Sequence, residues 1–397
     1  MITVGEAWQR IEDALPDYGV EDVAVEEAAG RVLRAAVGAE RDQPPFDRVM
    51  MDGIALRRTG ARRLRVQGTQ HAGDPPLELA EDTSCIEIMT GAALPSGADT
   101  IVPVERIRHV DGHAELEEGY EPEPGRFIHR RGSDHVAGTG LLQAGCLLGA
   151  PEVAVLASQG LATVRAGRRP PTAVVSTGNE LVPAGSPVAA HQIRLSNGPA
   201  ILSSLLGHGH AGSRHAHLPD EPEVMRERLT ALLDEFPVLL LSGGVSKGKA
   251  DYVPGIMAEL GVEVIFHRVS QRPGKPMWFG ARGATLVFAL PGNPVSALVC
   301  FRRYVLPALL RGAGYSGPTA ETAMLGADYE FRAPLTCFLP VRAETDAAGS
   351  LVAIPAPTNT SGDFTGLAGT TGFVELERER ERFAAGTPVT LHRWRLY

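Results

Sequence analysis

Pro237-Val238-Leu239-Leu240-Leu241-Ser242-Gly243-Gly244 is an apolar run that ends in a hydroxyl and two glycines. A run that is apolar at every central position predicts a β-strand buried on both faces. Two more such runs occupy residues 172–175 and 285–290, and helical patterns lie between the runs. Strands of this type that alternate with helices predict an α/β domain in three layers, with a mostly parallel sheet between helices.

The pattern of apolar and turn-forming residues changes on both sides of this α/β segment. Thr3 and Glu6 match a capping box, and apolar residues at helical spacing predict a first helix that ends near Pro16. Short alternating runs follow, separated by Gly, Pro and Asp, and a second helical stretch begins near Glu152. Beyond Pro318 short β runs return. The predicted boundaries are 1–41 and 137–169 for a helical domain, 42–136 for an inserted β-rich domain, 170–313 for the α/β domain and 314–397 for a C-terminal β domain.

The composition is that of a globular protein and argues against several classes of function. Hydrophobic residues make up 44% of the chain, and 47 acidic residues outnumber 38 basic ones, giving a net charge of -9. Nucleic-acid-binding proteins present a basic face, so we expect no nucleic-acid partner. We see no leader and no apolar run of the ~18 residues that a membrane helix needs, so we expect a cytoplasmic protein. Four cysteines far apart favour buried free thiols over a metal site or disulfides.

Each of the three apolar strands is followed by a loop that contains glycine. In a parallel α/β sheet, the loops at the carboxyl ends of the strands line the ligand crevice. Glycine lets the backbone approach a ligand, and free N–H groups at helix starts favour anions. We therefore predict a phosphate or oxyanion site there. The residues expected to line it are Thr177, Gly178, Ser242, Gly243, Gly244, Ser246, Pro291, Gly292, Asn293 and Ser296.

Charged residues are concentrated in the same part of the chain despite its acidic total. Arg272 and Lys275 stand in a Pro- and Gly-rich segment, which indicates a fixed backbone rather than a flexible surface loop. Lys247, which follows the second apolar strand, fits a solvated surface loop as well as it fits a functional cation. Carboxylates beside an anion site suit Mg²⁺, which binds carboxylate and phosphate oxygens together. The candidate carboxylates are Glu180, Asp220 and Asp251 in the α/β loops, with Asp47 and Asp52 in the β-rich domain.

Two other patterns offer competing interpretations. Residues 243–249 fit the phosphate loop of nucleotide hydrolases, but Ala250 stands where that loop has the Ser or Thr that holds Mg²⁺. Four histidines alternate in pairs at 208, 210, 215 and 217. A strand with histidines on one face explains them more simply than a metal site does, because no cysteine or carboxylate completes a ligand set.

Seven segments, in this order, resemble the signatures of the MoeA family and of the gephyrin E domain. They are 44–53, 88–92, 130–134, 176–181, 242–252, 272–276 and 290–296. The resemblance covers about residues 1–310 and is looser in the last domain. It implies a helical domain with an inserted β domain, a MogA-like α/β domain and a C-terminal β-barrel-like domain. It also implies a homodimer, and contact with other proteins of molybdenum-cofactor biosynthesis.

The family resemblance implies a reaction as well as a fold. Members take adenylylated molybdopterin and molybdate, insert the metal at the dithiolene, and release AMP with Mg²⁺. Carried over by position, Glu180, Asp220 and Asp251 bind Mg²⁺ and, together with Asp52, act in catalysis. Arg272 and Lys275 hold molybdate or phosphate. Three further substrate-binding residues come from the β-rich domain: Thr90, Arg131 and Asp134.

This sequence also departs from the family pattern at several positions. Asn179 stands where Asp is common, Leu195 replaces an Asp, and Arg272 replaces a Lys, which keeps the charge but changes its geometry. The remaining departures are Arg48, Val49, Met50, Ile54 and Ser133. A molybdenumtransferase is the first hypothesis. The alternative is a divergent paralogue that binds the pterin or a partner protein as a scaffold, without catalysis.

Overall fold

The computed structural model describes residues 1–244 and 252–395. The chain divides into two compact units. The first consists of Met1–Ala35, Ala144–Val153 and Thr163–Tyr397, and the second of Ala36–Gln143 and Ala154–Ala162.

A six-stranded sheet is the centre of the first unit. Its strand order is Arg214–Leu218, Thr172–Thr177, Val238–Ser242, Thr285–Leu290, Trp278–Arg282 and Glu263–His267. The first four strands pair in parallel, Trp278–Arg282 pairs antiparallel with Thr285–Leu290, and Glu263–His267 pairs antiparallel with Trp278–Arg282. The predicted mostly parallel sheet is therefore confirmed, and the three apolar runs that predicted it are its three middle parallel strands.

Helices cover both faces of this sheet, and each face has its own apolar core. Val174, Leu240 and Phe288 face one core, while Val175, Leu239 and Val287 face the other. Because successive side chains point to opposite faces, strands buried on both sides must be apolar throughout. The α-helices of this part of the chain are Asn197–Gly207, Pro222–Glu235, Val253–Glu259, Pro294–Cys300 and Leu306–Gly312. A π-helical turn, Phe301–Val305, joins the last two.

The N-terminal segment begins as the sequence predicts, with a capped helix. The helix is Val4–Ala14, and Thr3 and Glu6 form both bonds of the capping box. The helical domain predicted from residues 1–41 and 137–169 is not confirmed. Helix Ala150–Ser158 is present, but the same two ranges also contain four β-strands. They are Val20–Ala24, Thr163–Gly167, Val37–Gly38 and Gly140–Leu142, and a 3₁₀ turn is Val25–Glu27.

The packing of the first helix explains why no separate helical core forms. Its apolar face, made by Val4, Ala7 and Ile11, belongs to the core cluster that contains Tyr304 and Leu309. The helix therefore buries its apolar stripe against the α/β core.

The C-terminal segment forms a closed β-barrel, as predicted. Five strands follow one another around it: Thr336–Thr345, Leu351–Pro355, Glu321–Leu325, Pro388–Arg393 and Gly372–Leu376, which pairs back onto the first. A short strand, Gln271–Arg272, adds to the barrel in parallel to Thr336–Thr345. Through this pairing the segment with the predicted cations is hydrogen-bonded to the barrel. The other short elements are Leu181–Val182, Ile193–Arg194, Tyr329–Glu330, Arg382–Phe383 and the 3₁₀ turn Phe364–Leu367.

The second unit is rich in β structure. Its main sheet has the order Thr100–Pro103, Gly53–Leu56, Ser84–Ile88, Arg63–Gln70, His113–Leu116 and Ile107–Val110. Strands Arg48–Val49 and Ile128–His129 pair beside it, and a 3₁₀ turn, Val104–Arg106, follows the first edge strand. Within residues 1–244 and 252–395, no helix has the length and apolar character needed to cross a membrane.

The four paired histidines do not share one strand face, so that prediction is wrong in part. Only His215 and His217 lie on a strand. His208 caps helix Asn197–Gly207, and the Nδ1 of His210 is 2.9 Å from the carbonyl oxygen of Pro170. The turn at Gly209 breaks the alternation, because its φ of +80° is outside the extended region. No group of three or more potential metal ligands occurs in the described part of the chain.

Burial of His210 predicts a stability that falls in acid. Burial lowers the pKa of His210 to about 4, whereas in the unfolded chain this group takes up a proton near its ordinary pKa of 6.5. The unfolded state therefore binds more protons between these two values, and stability falls as the pH decreases from about 6.5 to 4. Between these two pH values, replacing His210 with Asn is expected to reduce the slope of the unfolding free energy against pH by about 1.4 kcal/mol per pH unit. Urea unfolding at several pH values measures this slope. The same change at exposed His191 is the control, and equal slopes for both variants would contradict the prediction.

Candidate functional site

The three glycine-containing loops meet at one edge of the central sheet. The N–H of Gly243 donates to the carbonyl oxygen of Leu290 at 3.3 Å. A Cβ at Gly243 would lie 2.8 Å from both the carbonyl oxygen and the Oγ1 of Thr177, and its φ is +102°. A Cβ at Gly292 would lie 3.7 Å from the Cα of Gly243. The loops are therefore packed backbone against backbone, and glycine at 243 is required by space as well as by φ.

Asn197 links two of these loops, a role that the sequence did not reveal. Its Nδ2 donates to Ser242 Oγ at 2.9 Å and to the carbonyl oxygen of Gly292 at 2.8 Å. Ser196 precedes helix Asn197–Gly207 and makes no side-chain cap bond. Asn197 Oδ1 and Thr177 Oγ1 are buried, and neither has a hydrogen-bond partner within the described residues. Buried polar atoms are normally paired, so these two atoms are exceptions among the described residues of the site.

The first loop brings two of the predicted carboxylates into one neighbourhood. Asn179 and Asp220 are joined by reciprocal bonds: Asp220 N–H donates to Asn179 Oδ1 at 3.1 Å, and Asn179 N–H to Asp220 Oδ2 at 3.4 Å. A Cβ at Gly178 would lie 2.5 Å from the Glu180 carboxylate, so that carboxylate folds over the glycine. The ring of His217 supports this loop from below, with Nε2 2.8 Å from the carbonyl oxygen of Gly178.

The predicted cations line a cavity of about 660 Å³ between the α/β part and the C-terminal barrel. Arg272 and Lys275 are exposed on its rim, and Ser296 is buried in its wall. Asn293 precedes helix Pro294–Cys300 without capping it by a side-chain bond. The other lining residues of the loops are Pro273, Gly274, Pro276, Pro291 and Val295, with Gln271 beneath them.

The barrel supplies the opposite wall of this cavity, which the sequence patterns missed. Loop residues 357–361 face the helix start, where Ser361 accepts a bond from Asn293 Nδ2 at 2.7 Å. The carbonyl oxygen of Ser361 accepts the N–H of Val295 at 3.1 Å. Asp363 holds the loop by accepting the N–H of Asn359 at 3.1 Å. The run of Pro, Thr, Asn and Ser at 357–361 was the available signal in the sequence. The rest of this wall is largely apolar, with Tyr329, Phe331, Leu335, Phe338 and Leu339.

Residue usage gives a second signal for the site. The chain has 38 basic residues, and the only lysines among them are Lys247, Lys249 and Lys275. Arginine therefore provides the ordinary surface charge. In the sequence, Lys247 and Lys249 come shortly after strand Val238–Ser242 but lie outside the described residues, and Lys275 comes shortly after strand Gln271–Arg272. A lysine presents a compact ammonium group where an arginine would present a planar fork.

The predicted residues of the second unit form two local clusters. Asp52 Oδ1 accepts both the N–H and the hydroxyl of Thr90, at 2.6 and 2.7 Å, and these bonds lower the pKa of Asp52. Arg131 Nε donates to Asp42 Oδ2 at 2.8 Å. Asp134 Oδ1 lies 2.8 Å from the Nε2 of His129. All four predicted side chains are exposed on this unit.

The carboxylates of the first unit are the type of donor that binds a magnesium ion. Glu180 and Asp220 present hard oxygen donors to one loop edge, and carboxylate oxygens are the ligands that Mg²⁺ prefers. Within the described ranges they do not form a group of three with another potential ligand. Asp251 and Ser246 lie outside the described residues, as do Lys247 and Lys249 and most of the loop that favoured a nucleotide hydrolase.

Comparison with known proteins gives matches along the whole chain. Family models match residues 2–160 as the MoeA N-terminal region (domain I and II), 173–311 as a probable molybdopterin binding domain, and 322–394 as the MoeA C-terminal region (domain IV). A molybdopterin molybdenumtransferase from Synechocystis sp. is 38% identical over 99% of this chain and 100% of its own length. One from Staphylococcus epidermidis is 30% identical over 98% of this chain and 94% of its own length.

Solved structures agree with the sequence matches. A molybdopterin biosynthesis MoeA protein from Pyrococcus horikoshii has a TM-score of 0.80 and 30% identity, covering 100% of this chain and 99% of its own. A second such structure from that organism has a TM-score of 0.82 and 25% identity, covering 99% of this chain and 100% of its own. The fold, the loop signatures and these full-length matches lead to one conclusion: the chain belongs to the MoeA family.

Proposed function

We infer that this protein is a molybdopterin molybdenumtransferase, an enzyme of molybdenum-cofactor biosynthesis. It inserts molybdate into adenylylated molybdopterin, forms the molybdenum cofactor and releases AMP. The observation that carries this function is the meeting of three glycine loops beside a cavity whose rim bears Arg272 and Lys275. Such a crevice offers a phosphate site and an oxyanion site side by side, which are the two anions of this reaction.

The glycine loops suit the phosphate-bearing end of the pterin. Gly178, Gly243 and Gly244 bring the backbone close to a ligand without side chains in the way. Thr177 Oγ1 and Asn197 Oδ1 are both buried and have no hydrogen-bond partner in the described part of the chain, and a bound ligand would give them one. The chain is acidic overall, so an anion is held here by local donors rather than by the field of the whole protein.

The cavity between the loops and the barrel suits molybdate. Lys275 places a compact positive charge at its rim, and Arg272 adds a planar donor fork. Ser296, Asn293 and the 357–361 loop supply neutral polar groups around them. A tetrahedral oxyanion needs this combination of charge and several hydrogen-bond donors. The apolar wall on the barrel side limits water, which strengthens each of these charged interactions.

Glu180, Asp220 and Asp251 are the residues that would hold Mg²⁺. The bound ion would neutralise charge on the phosphoanhydride as AMP leaves. Glu180 and Asp220 are positioned for this by the turn at Gly178 and by the Asn179–Asp220 bonds. The common Asp at 179 is absent, yet the Asn179 amide oxygen still accepts the N–H of Asp220, as a carboxylate would.

Other family departures are accommodated by the fold. Leu195 is buried, and its N–H donates to the carbonyl oxygen of Val182 at 3.0 Å. Ile54 is fully buried in the main sheet of the second unit. These positions serve packing, so nothing in them favours a scaffold without catalysis over an enzyme.

The second unit supplies the remaining part of the proposal. Thr90, Arg131, Asp134 and Asp52 are proposed to contact substrate from the β-rich domain, in a homodimer whose partner subunit completes the site. We propose the domain boundaries predicted from the sequence for the inserted, α/β and C-terminal parts, and a cytoplasmic location. Other proteins of cofactor biosynthesis would deliver the substrate and receive the product.

Magnesium dependence gives a direct test of the site. AMP release from adenylylated molybdopterin with molybdate is expected to stop on addition of EDTA and to return with excess Mg²⁺. Glu180→Gln is expected to raise the Mg²⁺ concentration for half-maximal rate about tenfold or more, because a charged ligand is lost. Glu263→Gln, at an exposed position on the edge strand Glu263–His267, is the control. An equal Mg²⁺ requirement in wild type and Glu180→Gln would remove Glu180 from the metal site.

A further inference from the structure

The segment that carries both cations lies on three buried side chains that no sequence pattern assigned to the site. Gln271, Cys300 and Tyr304 are each 0% exposed. Gln271 precedes Arg272 directly, whereas Cys300 and Tyr304 come from the long helix behind the cavity. A buried glutamine in an apolar core has to satisfy its amide fully, so its bonds reveal what it supports.

Each polar atom of the Gln271 amide has a partner. Nε2 donates to the carbonyl oxygen of Pro273 at 3.2 Å and to Cys300 Sγ at 3.3 Å. Oε1 accepts the hydroxyl of Tyr304 at 2.5 Å. The carbonyl of Pro273 needs a donor, so the NH₂ group must face it, and the amide oxygen then faces the tyrosine. The carbonyl of Pro273 therefore sets the orientation of the amide, and the hydroxyl of Tyr304 holds the amide in that orientation by donating to Oε1.

The backbone between the two cations rests directly on this amide. Gly274 has a φ of +94°, and a Cβ there would overlap Cys300 Sγ and lie 2.5 Å from Gln271 Nε2. Cys300 Sγ contacts the carbonyl oxygen of Gly274 at 3.8 Å. The N–H of Val269 donates to the carbonyl oxygen of Lys275 at 3.0 Å and closes the segment at its far end. The side chains of Gln271 and Cys300 therefore determine the path of the backbone from Arg272 to Lys275.

Tyr304 is itself held in place by the π-helical turn Phe301–Val305. The extra residue in such a turn rotates neighbouring side chains to faces that a regular helix would not give them. Arg303 turns to the barrel, where its Nε donates to Glu375 at 2.9 Å. Its guanidinium carbon lies 5.2 Å from the centre of the Tyr304 ring. The tyrosine is therefore packed against a charge that is fixed by the barrel.

We propose that Gln271 and Tyr304 are positioning residues for oxyanion binding. They hold the segment 272–275 so that Arg272 and Lys275 converge on the anion, and they do not touch substrate themselves. This inference rests on the proposed function for its kinetic readout. Small displacements of a charged group from its productive position are costly in binding and in rate.

Tyr304→Phe tests the proposal with a minimal change. The hydroxyl that orients Gln271 is removed, and the KM for molybdate in AMP release is expected to rise about tenfold, with kcat within about twofold of wild type. Tyr18→Phe is the matched control, since the Tyr18 hydroxyl is also buried but has no hydrogen-bond partner within the described residues. A Tyr304→Phe enzyme with the molybdate KM of Tyr18→Phe would overturn the proposal.

Gln271 and Tyr304 are expected to act together, through one hydrogen bond. Gln271→Leu removes the amide and is expected to give the same rise in molybdate KM, and the double variant Gln271→Leu with Tyr304→Phe no further rise. Side chains in one hydrogen-bond network are non-additive in this way. Multiplicative effects in the double variant would contradict a shared role.

A readout without catalysis separates this inference from the proposed function. Amide hydrogen exchange of a peptide covering 269–277, with no substrate present, is expected to be faster in Tyr304→Phe than in Tyr18→Phe. Equal exchange in the two variants would overturn the positioning role even in an active enzyme. Faster exchange in a protein that releases no AMP would refute the proposed function and support the positioning role.

Discussion

Replacing Lys275 with alanine is expected to lower kcat/KM for molybdate about 10- to 100-fold while the fold is retained. Hydrogen bonds to a charged group contribute about 1.5–3 kcal/mol, which corresponds to this range. The Lys275 side chain is exposed on the cavity rim, so its loss leaves no buried group unsatisfied. The effect should therefore appear in molybdate kinetics and not in the thermal midpoint of unfolding.

Two further variants make this prediction specific to the ammonium group. Lys275→Arg keeps the charge but replaces a compact group by a planar fork, so an intermediate loss is expected. Arg282→Ala removes a cation from strand Trp278–Arg282, where it pairs with Asp234 at 2.6 Å, and is expected to leave molybdate kinetics unchanged. Losses of similar size in Lys275→Ala and Arg282→Ala would show a general charge effect and contradict a specific site.

Gly274→Ala is expected to have the largest effect on stability, a loss of about 2–5 kcal/mol. The added Cβ would overlap Cys300 Sγ and crowd Gln271 Nε2, and overpacking a buried site costs about 1–3 kcal/mol. The positive φ of +94° adds about 1–2 kcal/mol for any residue with a Cβ. Because the loop must move to relieve the overlap, molybdate binding should be lost as well.

Gly261→Ala is the matched control for this substitution. Its φ is +79°, and a Cβ there would meet nothing within 4 Å, so the variant carries the conformational cost alone. Urea unfolding followed by tryptophan fluorescence measures both, since Trp278 is buried in the same unit. If the two variants lose the same stability, the packing of Gly274 on Cys300 and Gln271 contributes nothing.

The central sheet could be predicted from sequence because its physics is local. Strands covered on both faces are apolar at their central positions, as in Val238–Ser242, and few other structures require this. The N-terminal region was harder. The first helix was readable from Thr3 and Glu6, but the choice of core for its apolar face depends on tertiary packing. The prediction of a separate helical domain is not confirmed for that reason.

Some residues of the candidate site could likewise be predicted from the sequence, and others could not. The glycine loops were predictable, because the parallel arrangement of the strands brings their carboxyl ends to one edge. Gln271 and Tyr304 were not, since they are 33 residues apart and each is an ordinary residue in its own segment. The barrel loop 357–361 was missed because only the closed barrel brings it opposite Asn293. Contacts between distant segments leave no periodic signal in a single sequence.

The most direct test of the proposed function is a single-turnover experiment with purified protein, adenylylated molybdopterin, Mg²⁺ and molybdate. AMP release and molybdenum bound to the pterin are measured in the same sample. A transferase is expected to release AMP only when molybdate is present and to leave one molybdenum on the pterin for each AMP. Tight pterin binding without AMP release, or AMP release without metal on the pterin, would contradict the assigned reaction.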